Sequence, residues 1–417
     1  IEGPDSFEAK REAADEFGWR HCGDLPADHE GVAVSHYNNQ YDAAYGFACR
    51  FLATGDARWW RLMDDLARHV ADVDVYHTDR DKSAYDHGLF WHTAHHVDAG
   101  RATHRSFPGG RGLAGGGPAN EHCYTGGLVL HHYLTGDEGS RRTSIEIARW
   151  VVDMDDGAKS LFGPLSRRPT GLASMTASPL YHGPGRGAAN SIHALLDAHR
   201  LTGVPTYLVK AEELLRRTIH PADDVPARNL LDAERRWSYV VHLQMLGRWL
   251  DERLEAGDLG KRYAYARASL LAYARWMLEH EYPYLDRPEI LEFPTETWAA
   301  QDLRKAEVLA HAARHARGEE RVRFIDRAAW FQEGALERLA SMPTHVFTRP
   351  VVLVLTQGFR RIGGTAPPPE GEHDFGRPPP PFVPQKEAIR RRLRRVAATA
   401  AVLLVASLLA FVAAIAG

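Results

Sequence analysis

An all-α fold, an α/α toroid of five or six helical hairpins, is what this 417-residue sequence predicts, and three observations predict it. A turn signature recurs: LATGDARWW at 52–60, LTGDEGSRR at 134–142, LTGVPTYL at 201–208, EAGDLGKRY at 255–263 and ARGEERVRF at 316–324. Around these turns apolar residues follow the helical period, as do Trp59, Leu62, Met63, Leu66, Val70 and Val73, then Ile147, Val151 and Met154. Long polar connections, about 76–119, 156–188, 219–234 and 280–295, separate one hairpin from the next.

Each hairpin is justified by its own turn. Glycine tolerates the left-handed conformation that ends a helix, so Gly55, Gly136, Gly203, Gly257 and Gly318 mark the tips. Asp56 and Asp137 follow directly and can cap the next helix. The spacing of the glycines is too irregular for a tight solenoid and favours hairpins closing a ring, with variable loops on one side. A sixth pair would combine Thr344 to Ile362 with N-terminal sequence, although Pro350 argues against a helix there.

The toroid is read as residues 1–362. Residues 363–385, rich in proline, should form an extended semi-rigid spacer, followed by a basic juxtamembrane segment, KEAIRRRLRR, at 386–395. Residues 396–417 carry no charge and as a helix would span about 33 Å, enough for a bilayer core, so they read as a transmembrane anchor. The basic cluster before it places the globular part on the cytoplasmic side.

Composition removes several classes. Lys and Arg number 51 against 54 Asp and Glu, a net charge of −3, which gives no electrostatic basis for nucleic-acid binding. Three cysteines, Cys22, Cys49 and Cys123, fit neither a disulfide framework nor a structural zinc site. The run GGRGLAGGGP lacks Walker or Rossmann spacing, so it does not read as a nucleotide site.

Helices that precede the glycine turns all run the same way, so their N-termini should emerge on the opposite rim. Polar residues concentrate there: Asn39 and Tyr41, then Asn120, Glu121, His122 and Tyr124, then His182, Arg186, Asn190 and His193. The later hairpins add Trp237, Tyr239 and His242, then Glu296, Trp298, Gln301 and Asp302. The segment 81–107 should lie as a loop over this mouth, with Tyr85 and Trp91 able to stack on a sugar and Lys82 and Arg105 able to neutralise acid groups. His92, His95, His96 and Asp98 could ligate a divalent metal, but loop histidines more often satisfy backbone, so no cofactor is expected. His131 and His132 lie among Leu128, Leu130 and Leu134 and read as structural.

The segments SHYNNQYDAAYGFACRFLATGDARWWRLMDDLARHVADVDVYHT, DKSAYDHGLFWHT and GGGPANEHCYTGGLVLHHYLTGD together resemble the central toroid of the exo-rhamnogalacturonan lyase family, within the six-hairpin glycosidase-like group. The similarity is strongest over residues 15–155 and fades toward 345. It implies β-elimination at a uronic acid of an acidic oligo- or polysaccharide. That chemistry needs a neutralised carboxylate, a base for the C5 proton and an acid for the leaving oxygen. Chemistry and placement then assign proton abstraction to His122 or His87, leaving-group protonation to Tyr124 or Tyr85, and carboxylate neutralisation to Arg105 and Asn120, with Lys82 in reserve. Substrate contacts are expected from Trp91, Asn39, Glu121, His182, Arg186, Trp237, Glu296 and Trp298. Two other readings stay open: an inverting glycoside hydrolase using carboxylates such as Glu121, Glu296 or Asp86, and a membrane-tethered glycan-binding protein that stacks sugars on tryptophan.

Overall fold

The computed structural model describes residues 1–14, 23–27, 34–35, 39–80, 85–89, 118–156, 170–176, 181–345, 347–358 and 373–416. Helix α1 (Phe7–Ala14) precedes a short antiparallel ladder of Pro26–Ala27 with Val34–Ser35. Five hairpins follow: α2 (Ala43–Thr54) with α3 (Ala57–His69), α4 (Gly126–Thr135) with α5 (Glu138–Asp156), and α6 (Arg186–Thr202) with α7 (Pro205–Thr218). The last two are α8 (Tyr239–Glu255) with α9 (Lys261–His280) and α10 (Glu296–His315) with α11 (Gly318–Ser341). Helices α12 (Thr348–Gln357) and α13 (Gln385–Ala416) complete the chain.

Among the described residues α2, α4, α6, α8, α10 and α12 form a closed inner ring, each packed on the next and α12 on α2. Small residues allow the closest approaches. A Cβ on Gly127 would stand 2.5 Å from the Ala44 Cβ, and one on Gly46 3.0 Å from the Leu355 Cβ that closes the ring. Helices α3, α5, α7, α9 and α11 lie outside, and the apolar layer between the two shells includes Leu62, Trp150, Trp249, Tyr263 and Phe324, all fully buried. Cutting one of the buried leucines to alanine removes roughly 2–5 kcal/mol.

The turns behave as their sequence requires. Gly55, Gly136 and Gly203 adopt φ of 69°, 75° and 68°, and their N–H groups donate to Phe51, His132 and His199 carbonyls at 2.7, 2.8 and 2.7 Å. Asp56 accepts from the Arg58 N–H at 2.9 Å and Asp137 from the Ser140 N–H at 2.7 Å, capping α3 and α5. His131 is held between Ser140 and Asp64 at 2.8 and 2.7 Å, a structural role.

Two expectations need correction. Pro350 does not oppose the sixth inner helix: it lies in the first turn of α12, where a missing N–H costs nothing because that group has no intrahelical acceptor. The basic segment and the apolar one share a helix, since α13 runs unbroken through both over 32 residues. It is long and apolar enough to cross a membrane, and none of its apolar window is buried.

The proline-rich stretch is also more than a spacer. Its described part, 373–384, lies on the toroid wall. The Phe382 ring sits 3.8 Å from the Arg217 guanidinium carbon and 5.0 Å from the His182 ring centre, above Gly171, where a Cβ would approach Phe382 to 2.9 Å. Phe375 meets Tyr265 edge-on at 5.5 Å, and its carbonyl oxygen lies 3.3 Å from His220 Nε2. Stacking and cation–π contacts therefore hold a segment that its composition alone would leave extended in solvent.

Candidate functional site

The inner helices bring their starting ends to one side. The Gly127 N–H at the start of α4 donates to both Asp42 carboxylate oxygens at the start of α2, at 3.1 and 3.2 Å. Asn190 of α6 donates to the Glu121 carbonyl just before α4 at 2.6 Å, and Gln301 of α10 donates to the Tyr41 hydroxyl at 3.1 Å. The approach to α2 is strained: Asn39, Tyr41 and Asp42 all take left-handed φ, 52°, 62° and 60°. Such a conformation costs a non-glycine residue about 1–3 kcal/mol and persists only where the surroundings impose it. Here the Asn39 side chain imposes it, accepting from the Ala44 N–H at 3.0 Å and donating to Asp42 at 3.2 Å.

That strain sets Tyr41 beside an arginine. Arg304 of α10 is 5% exposed, and its guanidinium carbon lies 5.0 Å from the Tyr41 ring centre. Its Nε donates to Gln301 Oε1 at 2.7 Å and its Nη1 to Gln244 Oε1 at 2.9 Å. Gln244 is itself fixed, since its amide nitrogen donates to Glu307 and Gln357, which turns its carbonyl toward Arg304. Among the described residues the hydrogen-bond partners of Arg304 are thus two neutral amide oxygens, with no carboxylate among them.

Tyr124 faces the same group, with Arg186, Tyr41, Arg304 and Asn190 as its polar neighbours. Burial pushes its hydroxyl up to about 12, more than the two arginines offset, so it stays protonated at neutral pH. His122, also buried, meets the Tyr124 ring edge-on at 5.9 Å. Arg186 pairs with Glu121 at 2.7 Å and lies 5.6 Å from the Trp237 ring centre. Burial works against its charge, but Glu121, Tyr124 and Tyr41 together outweigh it.

Further along the inner helices lies a second polar layer. Asp197 accepts from Thr125 at 2.6 Å and Arg248 at 2.5 Å and stands 3.0 Å from His193 Nε2. Burial would raise its carboxyl, yet Arg248 and His193 hold it far below the usual range. Asp42 goes the other way: burial raises it, only partly countered by His193. One layer therefore holds two buried carboxyls shifted in opposite directions, Asp197 down by its cations and Asp42 up by burial.

Of the residues expected at the site, Tyr124, His122, Glu121 and Arg186 are brought together. Others are not. Asn120 was expected to neutralise a substrate carboxylate, but its amide donates to the Leu172, Ala173 and Met175 carbonyls at 3.1, 3.2 and 2.9 Å and so anchors the 170–176 segment. His87 belongs to another cluster, 2.8 Å from Asp79 and 3.9 Å from Glu146 on the outer helix α5. Tyr85 is in the same turn and accepts from the Gly88 N–H with its carbonyl. Asn39 is a local cap.

His182 shares a hydrogen bond with Ser174 at 2.9 Å and is faced by Phe382, while Glu296 accepts from Thr344 at 2.6 Å. Trp237 and Trp298 flank one small apolar cluster of Ala233, Tyr284 and Leu291 on the rim. Lys82, Trp91, Arg105, His92, His95, His96 and Asp98 lie outside the described residues. Among the described residues no group of three or more His, Cys, Asp or Glu is arranged to hold a metal ion.

Sequence reasoning missed Arg304, Gln244 and the weakened acidity of the buried Asp42 carboxyl. For Arg304 a signal existed: it follows the rim residue Gln301 by one helical turn, and so shares its face. Compared with protein-family models, curated proteins and solved structures, the chain matches none.

Proposed function

We propose that the toroid is a polysaccharide lyase-like enzyme that takes an acidic saccharide at the starting ends of its inner helices and cleaves it by β-elimination. The observation that carries this is Arg304, a buried cation held by neutral oxygens next to two tyrosines. A uronate carboxylate supplies the missing anion, and its neutralisation is what makes the C5 proton removable. Arg304 takes the role that sequence reasoning gave to Arg105 and Asn120. Tyr124, protonated at neutral pH, donates to the leaving oxygen, and His122 beside it removes the proton. The resemblance of residues 15–155 to exo-rhamnogalacturonan lyases supports the same chemistry.

A second reading, an inverting glycoside hydrolase, is favoured by Asp42, whose carboxyl burial shifts upward, the direction a general acid requires. Incubation with acidic oligosaccharides separates the two: elimination yields an unsaturated, ultraviolet-absorbing product that the Tyr124→Phe variant no longer makes. Saturated products, with loss of activity in Asp42→Asn instead, would reverse the assignment. Helix α13 is read as a membrane anchor, and the arginines at 390–395 favour a cytoplasmic toroid by the excess of positive charge that inner-face segments carry. Protease added outside intact cells should leave the toroid whole; digestion would place it on the other face.

A further inference from the structure

The proline-rich segment is docked at a particular end of the ring. Pro384 and Phe382 cover Gly171, whose N–H donates to the Asp155 carbonyl at the C-terminal end of α5 at 2.7 Å. Arg217, under Phe382, ends α7 and pairs with Asp155 at 3.0 Å, and His182 lies four residues before α6 begins. Outer helices end, and inner helices begin, on the mouth side; the glycine turns are on the other. The anchor helix therefore leaves the toroid from the mouth end. Its first turn is still seated there, with Lys386 buried and the Ala388 N–H donating to the Pro384 carbonyl at 3.0 Å.

From Lys386 to Val396, where the uncharged stretch begins, α13 continues without a break, a rise of about 15 Å. Along that rise Arg390, Arg391, Arg392, Arg394 and Arg395 are exposed, suited to anionic headgroups. We infer that Phe375 and Phe382 clamp the toroid with its mouth end toward the bilayer, so that the acidic saccharide it takes is one carried on the membrane surface by a lipid. This rests on reading α13 as an anchor and the mouth as an acidic-saccharide site. Without the clamp, residues 363–384 would be a tether that lets the mouth point in any direction.

The orientation can be measured without any substrate. Full-length protein is reconstituted into vesicles of neutral and anionic phospholipid containing a photoreactive headgroup, irradiated, and the labelled residues are mapped by mass spectrometry. Phe293, 68% exposed in the connection before α10, reports the mouth end, and Val204, 40% exposed between α6 and α7, reports the turn end. Labelling around Phe293 should exceed that around Val204 several-fold, and the double variant Phe375→Ala, Phe382→Ala should even the two while keeping its helical circular dichroism.

Equal labelling of both ends in the unaltered protein, or a double variant that labels as the parent does, would overturn the clamp. Failure to float with vesicles at all would instead overturn the anchor on which it rests. The substrate arm uses oligogalacturonate, free or coupled to phosphatidylethanolamine in the same vesicles. Preference for the coupled form supports the inference and equal use of both forms overturns it. Use of neither form overturns the acidic-saccharide site, whatever the labelling shows.

Discussion

Arg304 and Lys305 are neighbours on α10, both buried, and they live in opposite electrostatic worlds. One helical step of about 100° separates their directions. Lys305 is 0% exposed, and its ammonium contacts Glu281 at 2.8 Å, Asp302 at 3.0 Å, the Tyr282 carbonyl at 2.5 Å and the Tyr284 ring at 3.4 Å. Burial disfavours its charge, yet the two carboxylates more than compensate and raise it. Arg304 has amide oxygens instead. The contrast separates two settings of a buried cation: one closed by the chain's own anions, which fastens the α9–α10 connection, and one whose hydrogen bonds, among the described residues, go to neutral oxygens. The amide oxygens and the Tyr41 face solvate the Arg304 guanidinium without cancelling its charge, whereas Lys305 is neutralised in place.

Breaking the closed site should give the largest effect. Lys305→Met leaves Glu281 and Asp302 buried without their cation, and should lower unfolding stability by roughly 3–5 kcal/mol in urea titrations. Arg304→Gln should do the reverse in kind. Stability should stay within about 0.5–1 kcal/mol of the parent, because no buried anion is orphaned, while calorimetric affinity for oligogalacturonate falls at least tenfold, about 1.4 kcal/mol. If Arg304→Gln destabilises as Lys305→Met does, or binds as the parent does, the distinction between the two cations fails.

A pH series sharpens the closed side. Burial raises the Asp302 carboxyl from 3.8 to about 6, against the pull of Lys305. The folded state thus holds a proton that the unfolded state has released. This contribution is fully present below about pH 4 and is lost as pH rises through about 6. In Asp302→Asn that portion of the slope of unfolding free energy against pH should flatten; an unchanged slope would assign the titration to another group.

How much of this the sequence showed follows the same division. Glycine turns, Asp56 and Asp137 caps and the apolar period report local physics, which the chain writes within a few residues, and the hairpins were legible from them. The ring closure through α12 was hidden by Pro350, whose effect depends on its position within a turn. The rim residues His122, Tyr124, Glu121 and Arg186 were legible because helix direction alone sends them to one side. Asn120 and His87 share that polarity but are engaged by the backbone of 172–175 and by Glu146, partners remote in sequence. Arg304 was obscured for the matching reason: only the fold shows that, among the described residues, its hydrogen bonds go to the amide oxygens of Gln301 and Gln244.

The smallest expected effect concerns a third kind of group, half-buried and kept neutral. His182 lies between Ser174 and Phe382, and burial, helped by the nearby Arg217, lowers its imidazole from 6.5 to about 4. The unfolded chain takes up the proton first, so the contribution is complete above pH 6.5 and is lost as pH falls through about 4. Removing the cover with Phe382→Ala should return water to the ring and move its titration, followed by imidazole proton resonances, upward toward 6.5. The same substitution removes the cation–π interaction with Arg217, about 0.5–1 kcal/mol, well below the destabilisation expected at Lys305. A midpoint that stays near 4 would mean that Arg217 and the toroid wall, rather than the docked segment, keep His182 neutral; Arg217→Gln in the same background would then raise it alone.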